Sequence, residues 1–379
     1  MTTTQENYMK KALDLAVKGC GHVNPNPLVG AVIVKDGKII GEGYHEKYGG
    51  LHAERAALLS CSESAEGAEM YVTLEPCCHY GKQPPCTDAI IASGIKHVYF
   101  GSVDPNPSVN GRGSRILKKA GIQVTEGFMK EECDEINEVF FHYITKSLPY
   151  VILKYAMTYD GKIATKSGKS KWITGEAARA KVHSDRNRYS AILVGIGTVL
   201  KDDPLLTCRI PNGRSPVRII CDTDLSVPMT SQIVRTAKEY RTIIASDTSR
   251  LISYSQDTAW MNKAEDLKKA GCEIIHIPSM EGMLDMKLLM KKLAALEIDS
   301  VIIEGGGGIN WSALKSGIVN KVQVYVAPKI FGGAGAPSPV MGEGIDSPNE
   351  AYEFSAPKLT VLGDDILMES EVKNVHRNS

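Results

Sequence analysis

The chain reads His52-Ala53-Glu54 and then Thr-Leu-Glu-Pro-Cys-Cys-His-Tyr-Gly-Lys-Gln-Pro-Pro-Cys over residues 73–86. His52, Cys77 and Cys86 supply one imidazole and two thiolates, a set that binds zinc and leaves a fourth position open, as a catalytic zinc requires. Glu54 lies two residues from a ligand, where it can take a proton from water and deliver it to leaving ammonia. This combination of His-X-Glu with Pro-Cys and a second Cys is the pattern of zinc deaminases.

A closed structural zinc site is the alternative for this motif, with Cys78 or His79 as the fourth ligand. Such a site would need neither Glu54 nor Pro76, so the catalytic interpretation is favoured. Zinc deaminases typically have two residues between their two Cys ligands, whereas eight intervene here. The longer insert includes His79 and Lys82 and could wrap a phosphate-bearing substrate, or it could be an ordinary polar loop.

The elements around the motif alternate and predict an α/β layered domain of roughly 145 residues. Apolar residues at helical spacing predict a first helix over 5–18. Asp36-Gly37, between two apolar runs, predicts a β-hairpin. A buried strand is predicted over 70–74, and a single helix over 131–145 closes the domain. We therefore place the domain boundary between residues 146 and 147.

The alternation of strands and helices restarts in residues 147–379 and predicts a second, mixed α/β domain. A strand over 150–157 and a helix over 176–188 open it. A strand over 300–304 ends at four consecutive glycines, 305–308, and Asn310-Trp311-Ser312 is expected to begin the following helix. Glycines let backbone N–H groups approach a phosphate closely, so this run suggests a nucleotide site. A flexible loop is the alternative.

Composition excludes several classes of protein. The 379 residues include 44 Lys+Arg and 44 Asp+Glu, and this zero net charge argues against a protein that coats nucleic acid. No apolar run approaches the roughly 18 residues that span a bilayer. The N-terminus is polar and the nine cysteines are mostly scattered, so a reducing, cytoplasmic location is expected.

Further motifs in both halves of the chain give it a specific resemblance to a known protein family. Together with the zinc motif, they resemble the bifunctional RibD family of riboflavin biosynthesis proteins over nearly the whole chain. That family joins a pyrimidine deaminase to a pyrimidine reductase. The motifs are Asn26-Pro27-Leu28-Val29-Gly30, Asp104-Pro105-Asn106-Pro107, Asp160-Gly161-Lys162-Ile163-Ala164, Ser170-Lys171-Trp172-Ile173-Thr174, the segment 197–207 (Gly-Thr-Val-Leu-Lys-Asp-Asp-Pro-Leu-Leu-Thr) and Glu304-Gly305-Gly306.

The resemblance implies a cytidine-deaminase-like three-layer domain followed by a dihydrofolate-reductase-like α/β domain. It implies zinc-dependent deamination of 2,5-diamino-6-ribosylamino-4(3H)-pyrimidinone 5′-phosphate. Reduction of the ribosyl to the ribityl side chain would follow, with hydride from NADPH. The implied partners are these small molecules and other copies of the chain, in a homo-oligomer, and not nucleic acid or a membrane.

The resemblance also implies roles for individual residues. His52, Cys77 and Cys86 would bind zinc, and Glu54 would carry the proton. The deaminase substrate would contact Asn26, His45, Lys82 and Asn106. NADPH would contact Ala156, Trp172, Thr198, Asp202, Thr223, Gly306, Gly307, Gly308, Ile309, Asn310, Trp311 and Ser312. The reductase substrate would contact Ser170, Arg186, Leu206, Arg209 and Glu304. Apart from the resemblance, Lys154 and Asp202 are candidates for polar work near the carbon that is reduced.

Chemistry alone leaves other roles open for several of these positions. Asn26 and Asn106 lie in Asn-Pro sequences and could only shape turns, and His45 could be a capping or surface residue. Arg186 suits a phosphate because a guanidinium can bind it bidentately, but it could instead form an ion pair. Lys154 interrupts an apolar strand, where an unpaired cation is costly, unless its ammonium reaches solvent at an edge. Arg209 could likewise form an ion pair, and Trp172 could be core packing.

Rival functions remain at this stage. A deaminase of nucleic acid or of free nucleosides shares the zinc motif, but neither explains the second domain. The C-terminal half could instead be a non-catalytic binding module. A purely structural zinc protein is the remaining alternative.

Overall fold

The structure is a computed structural model, which describes residues 3–80, 83–106, 109–249, 258–280 and 282–373. The chain folds into two compact units, Met1–Ser147 and Leu148–Ser379. No helix among the described residues has both the length and the apolar character needed to cross a bilayer.

A five-stranded sheet forms the centre of the first unit. Its strands are β1 (Gly30–Lys35), β2 (Lys38–Tyr44), β3 (Glu69–Leu74), β4 (His97–Ser102) and β5 (Gln123–Glu126). The strand order is β2-β1-β3-β4-β5, with β3, β4 and β5 parallel to one another. The predicted hairpin is confirmed: Asp36 and Gly37 both have positive φ and join the antiparallel strands β1 and β2.

Helices cover both faces of this sheet, which gives three layers. They are α1 (Thr4–Ala16), α2 (Ala53–Leu59), α3 (Cys86–Ala92), α4 (Arg112–Lys119), α5 (Lys130–Ile136) and α6 (Glu138–Lys146). Because side chains alternate along a strand, Ile33 packs towards α2, α3 and α4, whereas Val32 packs towards α1 and α5. The prediction of a single helix over 131–145 is wrong, because the helix breaks at Asn137, whose side chain binds the backbone of a distant segment.

A nine-stranded sheet forms the centre of the second unit. Its strands are β6 (Tyr150–Thr158), β7 (Ala191–Gly195), β8 (Val217–Cys221), β9 (Thr242–Asp247), β10 (Cys272–Ile277), β13 (Ser300–Ile303), β14 (Lys321–Ala327), β15 (Lys358–Leu362) and β16 (Asp365–Glu371). Their order is β10-β9-β8-β7-β13-β6-β14-β16-β15, parallel from β10 to β14 and antiparallel at the β14-β16-β15 end. The short pair β11 (Ser279–Met280) and β12 (Met283–Leu284) forms a separate hairpin.

The helices of the second unit connect these parallel strands. Its main apolar core joins the central strands to the helix that precedes β13 and to the helix that follows it. The helices are α7 (Glu176–Arg188), α8 (Ile196–Asp202), α9 (Gln232–Arg235), α10 (Thr258–Lys269), α11 (Met286–Ala295) and α12 (Gly307–Lys315).

Helix α12 begins three residues earlier than predicted, at Gly307 instead of Asn310. The reason lies in the glycine run. Gly305 and Gly306 have φ of +128° and +61°, so two residues suffice to turn the chain from β13 into the helix. The remaining glycines therefore form the first turn of α12, and its free N–H groups face the carboxyl edge of the sheet.

Candidate active sites

Three potential metal ligands meet where two helices begin in the first unit. His52 is the N-cap of α2, Cys86 is the first residue of α3, and Cys77 follows β3. The Nδ1 atom of His52 lies 3.4 Å from the Sγ atoms of both Cys77 and Cys86. The three ligand atoms all lie within 4.8 Å of one another, so they can bind one ion.

The chemistry of this donor set fits zinc. Two thiolates and an imidazole are soft to borderline ligands, and a tetrahedral zinc would keep one open position. The Cys77 thiol has its pKa lowered to about 4, first by the hydrogen bond from Cys86 and also by one from His52. Because the site favours the thiolate form of Cys77, it carries a negative charge that can bind a cation.

Glu54 is the second residue of α2 and lies beside the three ligands. Its side chain is almost fully buried yet lines the same cleft as His52 and Cys77. Burial, and next the nearby Cys77 thiolate, raise the pKa of the Glu54 carboxyl to about 7. A carboxyl in this environment can hold or release a proton near neutral pH.

His45 and Asn26 form a second layer of the cleft. The ring of His45 lies edge-on to that of His52, with centroids 5.7 Å apart. His45 Nδ1 lies 2.8 Å from the Leu51 carbonyl, so this nitrogen is the donor, and Nε2 then accepts from the Asn26 amide at 3.1 Å. Burial lowers the pKa of His45, which agrees with a neutral ring. Asn26 thus retains its carboxamide oxygen for a ligand.

Glu75 connects this site to the neighbouring strand and helix. Its buried carboxylate accepts hydrogen bonds from Gly111 N at 2.9 Å, Ser114 N at 3.2 Å and Asp104 N at 3.4 Å. A Cβ on Gly113 would lie 2.2 Å from the Pro76 carbonyl, so only glycine permits this approach of α4. Glu75 therefore fixes the loops after β3 and β4, which carry Cys77 and Asn106.

The cleft beside the ligands has a volume of about 290 Å³. It brings together the predicted residues Asn26, His45, Asn106 and Glu54, while Lys82 lies outside the described residues. Sequence reasoning did not single out Phe140 as a site residue, because it arrives from α6, far along the chain, and no local motif marks it. Other residues that line the cleft include Tyr48, Glu75, His79, Gln83 and Asp104.

A larger cleft of about 580 Å³ lies at the carboxyl edge of the sheet in the second unit. Glu304 directly follows β13, and its side chain is only 7% exposed. It accepts a bidentate pair of hydrogen bonds from Arg186 Nε and Nη2, each 2.9 Å long. The ammonium of Lys154 lies 3.6 Å from the same carboxylate. Burial alone would raise the pKa of Glu304, but Arg186 and Lys154 overcome this effect and lower it to about 2.

These contacts show which of the two roles left open by the sequence applies to Lys154, and which applies to Arg186. Lys154 is paired inside the unit and does not depend on an exposed edge. Arg186 is in an ion pair, but its side chain is only 12% exposed and its partner Glu304 lines the cleft, so the pair is not a surface one. Its Nη1 also donates to the Thr207 carbonyl at 3.1 Å. One carboxylate facing two cations leaves a net positive charge for an anionic ligand.

The start of α12 supplies the other wall of this cleft. Asn310 is buried and donates to the Pro339 carbonyl at 2.8 Å, but its Oδ1 has no hydrogen-bond partner among the described residues. An unpartnered buried acceptor is costly, so it points to a ligand that donates to it. The backbone N–H groups of the glycine turn face the same cleft, which fits a nucleotide phosphate.

The structure brings most of the predicted nucleotide positions to this cleft, but not all of them. Trp172 is 61% exposed, with the Arg179 guanidinium 4.8 Å from its ring centroid, and it does not line the cleft. Trp311 packs away from the cleft against Tyr352. Their cofactor roles stay predictions. The positions that do line the cleft are Ala156, Thr198, Asp202, Thr223, Gly306, Gly307, Gly308, Ile309, Asn310 and Ser312.

Only some of the predicted substrate positions of the second unit line the cleft. Lys154, Ser170 and Glu304 line the cleft. Leu206 is buried, Arg209 is exposed and Arg186 lies behind Glu304, and none of the three belongs to the lining. Sequence reasoning did not single out Lys201, which lines the cleft beside Asp202, or residues 282–284 of the β11–β12 hairpin. Lys201 could have been found from its place in the segment 197–207.

Two family models match the chain. The model of the cytidine and deoxycytidylate deaminase zinc-binding region matches residues 2–102. The model of the RibD C-terminal domain matches residues 149–368, more than half of the chain.

Curated relatives match over nearly the full length. The riboflavin biosynthesis protein RibD of Actinobacillus pleuropneumoniae is 52% identical over 97% of this chain and 95% of its own. The RibD protein of Aquifex aeolicus is 45% identical over 96% and 97%, and that of Escherichia coli is 37% identical over 96% and 98%.

Solved structures give the same result. The diaminohydroxyphosphoribosylaminopyrimidine deaminase/5-amino-6-(5-phosphoribosylamino)uracil reductase of Thermotoga maritima is 40% identical, with a TM-score of 0.84 over 98% of this chain and 99% of its own. A RibD structure from Acinetobacter baumannii is 33% identical, with a TM-score of 0.85 over the same shares.

Proposed function

Because this chain belongs to the RibD family of bifunctional riboflavin biosynthesis proteins, we propose that its two units divide the family's two reactions, deamination in residues 1–147 and reduction in residues 148–379. The observation that carries this division is that each unit contains its own cleft, lined by residues predicted for one of the two reactions. His52, Cys77 and Cys86 lie beside Glu54 in one, and Glu304 lies beside Asn310 in the other.

Several expectations from the sequence are confirmed. The chain is a deaminase of the zinc-dependent type fused to a reductase of the NADPH-using RibD type, and it acts in riboflavin biosynthesis. The predicted fold class, a cytidine-deaminase-like domain followed by a dihydrofolate-reductase-like domain, is confirmed as well. Small-molecule substrates agree with this family, and the exclusion of nucleic acid and membranes as partners stays a prediction.

In the deaminase unit, His52, Cys77 and Cys86 would hold the zinc, which when bound supplies an activated water for attack on the amino-bearing ring carbon. Glu54 would accept a proton from the attacking water and deliver it to the departing amino group. The carbon–nitrogen bond breaks, a carbon–oxygen bond replaces it, and ammonia leaves. The neutral ring of His45 holds the Asn26 side chain in place. The carboxamide oxygen of Asn26 then accepts a hydrogen bond from the edge of the pyrimidine. Asn106 and Lys82 would contact the rest of the substrate.

In the reductase unit, NADPH would lie along the glycine turn at the start of α12, with its phosphates on backbone N–H groups and a donor group on Asn310 Oδ1. It supplies the hydride that converts the ribosyl to the ribityl chain. Glu304 holds Arg186 and Lys154 in place, so that the substrate meets a fixed positive surface. The orientation of substrate against cofactor is the contribution of these side chains.

Two finer expectations belong to this proposal. The chain would work as a homo-oligomer, which size-exclusion chromatography with light scattering tests directly. It would act in the cytoplasm, where NADPH and phosphorylated pyrimidines are supplied together, and fractionation of cells that carry a tagged chain tests this.

One assay tests the division of function. The diaminopyrimidine ribose phosphate is mixed with zinc-loaded protein, with and without NADPH, while ammonia and nicotinamide absorbance are followed together. Ammonia release in both samples, with NADPH consumed only after deamination, is the expected result. Ammonia without any NADPH consumption would make the second unit a binding module. NADPH consumption that persists in a variant lacking the Glu304 carboxylate would place reduction elsewhere.

A further inference from the structure

Arg218 is a buried cation inside the second unit that the reactions above do not use. It lies in β8 and is fully inaccessible to solvent. Within the described part of the chain, no carboxylate lies within ion-pair distance of its guanidinium. A buried charge is costly, and replacement by an apolar side chain often stabilises a protein. The benefit of Arg218 therefore lies in the geometry that it imposes on its partners.

The guanidinium instead donates to neutral oxygen atoms from several segments. Its Nη1 donates to the Leu205 carbonyl at 3.2 Å, which is the contact that matters for the cleft. Its remaining hydrogen bonds reach the hydroxyls of Thr236 and Thr242 and the carbonyls of Ile233 and Tyr240. Arg218 thus attaches residue 205 to the ordered interior around α9 and the start of β9.

The segment attached in this way is strained. Leu206 has φ of +56° and Asp203 has φ of +38°, a region that side-chain-bearing residues rarely adopt. Such a conformation persists only where the surroundings hold it, and it is frequently found at binding sites. A second attachment exists at the other end, where Gln232 N donates to Asp203 Oδ1 at 2.8 Å.

The strained segment leads directly to the cleft. The carbonyl of Thr207 accepts from Arg186, and Arg186 binds Glu304 through two hydrogen bonds. Arg218, Leu205, Thr207, Arg186 and Glu304 therefore form one continuous chain of contacts. A shift of the segment at Leu205 would move the Thr207 carbonyl and release one of the bonds that orient Arg186.

We propose that Arg218 is a positioning residue for reduction: by holding the Leu205 carbonyl, it keeps residues 203–207 in the strained conformation whose Thr207 carbonyl orients Arg186. The inference rests on the role proposed above for Arg186 in substrate binding. It assigns to Arg218 an effect on substrate binding and not merely on stability.

The test is steady-state kinetics of R218K in the full-length, zinc-loaded chain. Lysine keeps the positive charge but cannot reach five oxygen atoms at once. We expect the KM for the deaminated substrate to rise about tenfold, with a smaller change in kcat, because binding and not hydride transfer is impaired. The dissociation constant of NADPH should change less than this KM, since Asn310 and the glycine turn are not attached to the segment and only Asp202 adjoins it. Deamination in the same sample should be unchanged.

A matched control separates positioning from stability. Ser300 is fully buried at the opposite, amino-terminal end of β13, where its hydroxyl donates to Asp299 and accepts from Ser190 N. S300A should lower the melting temperature and leave the KM of reduction unchanged. If R218K lowers the melting temperature as S300A does and keeps the wild-type KM, Arg218 is only structural and the proposal is wrong.

A second variant covers the case in which R218K does not fold. Thr242 Oγ1 accepts two hydrogen bonds from Arg218, so T242V loosens the guanidinium at almost unchanged volume. Its KM should rise about threefold, and a folded T242V with wild-type KM would also overturn the proposal. A wild-type chain that deaminates but never oxidises NADPH would instead contradict the proposed reductase, an outcome distinct from both.

Discussion

The carboxamide of Asn137 binds both backbone groups of Leu28, although 109 residues separate the two along the chain. Leu28 N donates to Oδ1 over 2.8 Å, and Nδ2 donates to the Leu28 carbonyl over 2.9 Å. Asn137 thereby acts as a strand partner for the segment that carries Asn26, the residue that donates to His45. This contact explains why the helix breaks between α5 and α6.

Replacing Asn137 should impair deamination selectively. N137L leaves two partly buried backbone groups of Leu28 without their side-chain partner, at a cost of about 1 kcal/mol each. We expect the Asn26 segment to loosen and kcat/KM for ammonia release to fall about tenfold. The N137D carboxylate can still accept from Leu28 N but cannot donate to its carbonyl, so its loss should be smaller. Equal activities of the two variants and wild type would show that this contact does not position Asn26.

Glu54 should be required for proton transfer but not for metal binding. In E54Q the three ligands are unchanged, so zinc content measured by elemental analysis should match wild type. Deamination should fall by at least about 10²-fold, because the amide cannot accept the proton of water. NADPH oxidation with already deaminated substrate is the internal control and should persist. Ammonia release near the wild-type rate from zinc-loaded E54Q would refute this role.

Asp202 should matter only for reduction. It lines the larger cleft at the end of α8, beside the predicted cofactor positions. D202N removes the charge at nearly constant shape, and we expect kcat/KM for NADPH oxidation to fall by about 10- to 100-fold. Ammonia release should not change. Parallel loss of both activities would instead indicate misfolding or coupling between the units.

The ion pairs of Glu304 should give stability a defined dependence on pH. Its pKa is about 2 in the folded chain, against an ordinary value of 4.5. Because the folded pKa is the lower one, this stabilisation is complete above about pH 4.5 and is lost as pH falls towards 2. E304Q should therefore show a shallower loss of stability in this window, measured by urea unfolding of the two proteins in parallel. Identical pH dependence would mean that Arg186 and Lys154 do not stabilise the carboxylate.

Local sequence was enough to identify the three candidate zinc ligands, Glu54 beside them and the β-hairpin, and the family motifs pointed to the two activities. The reason is physical: metal chemistry restricts the ligand types, and a two-residue turn restricts the residues at its centre. Requirements of this kind concern only a few positions that lie close together in the sequence. The glycine run could likewise be identified, although the start of α12 was placed three residues too late.

The tertiary structure alone decided the contacts that orient these groups. Asn137 and Leu28, Glu75 and Ser114, and Arg218 and Leu205 pair residues that no local pattern connects. Arg186 and Glu304 were both expected at the substrate, but only the fold shows that each holds the other. A buried polar group must find a partner wherever the packed chain brings one, and that partner is set by the arrangement of strands and helices and not by sequence spacing.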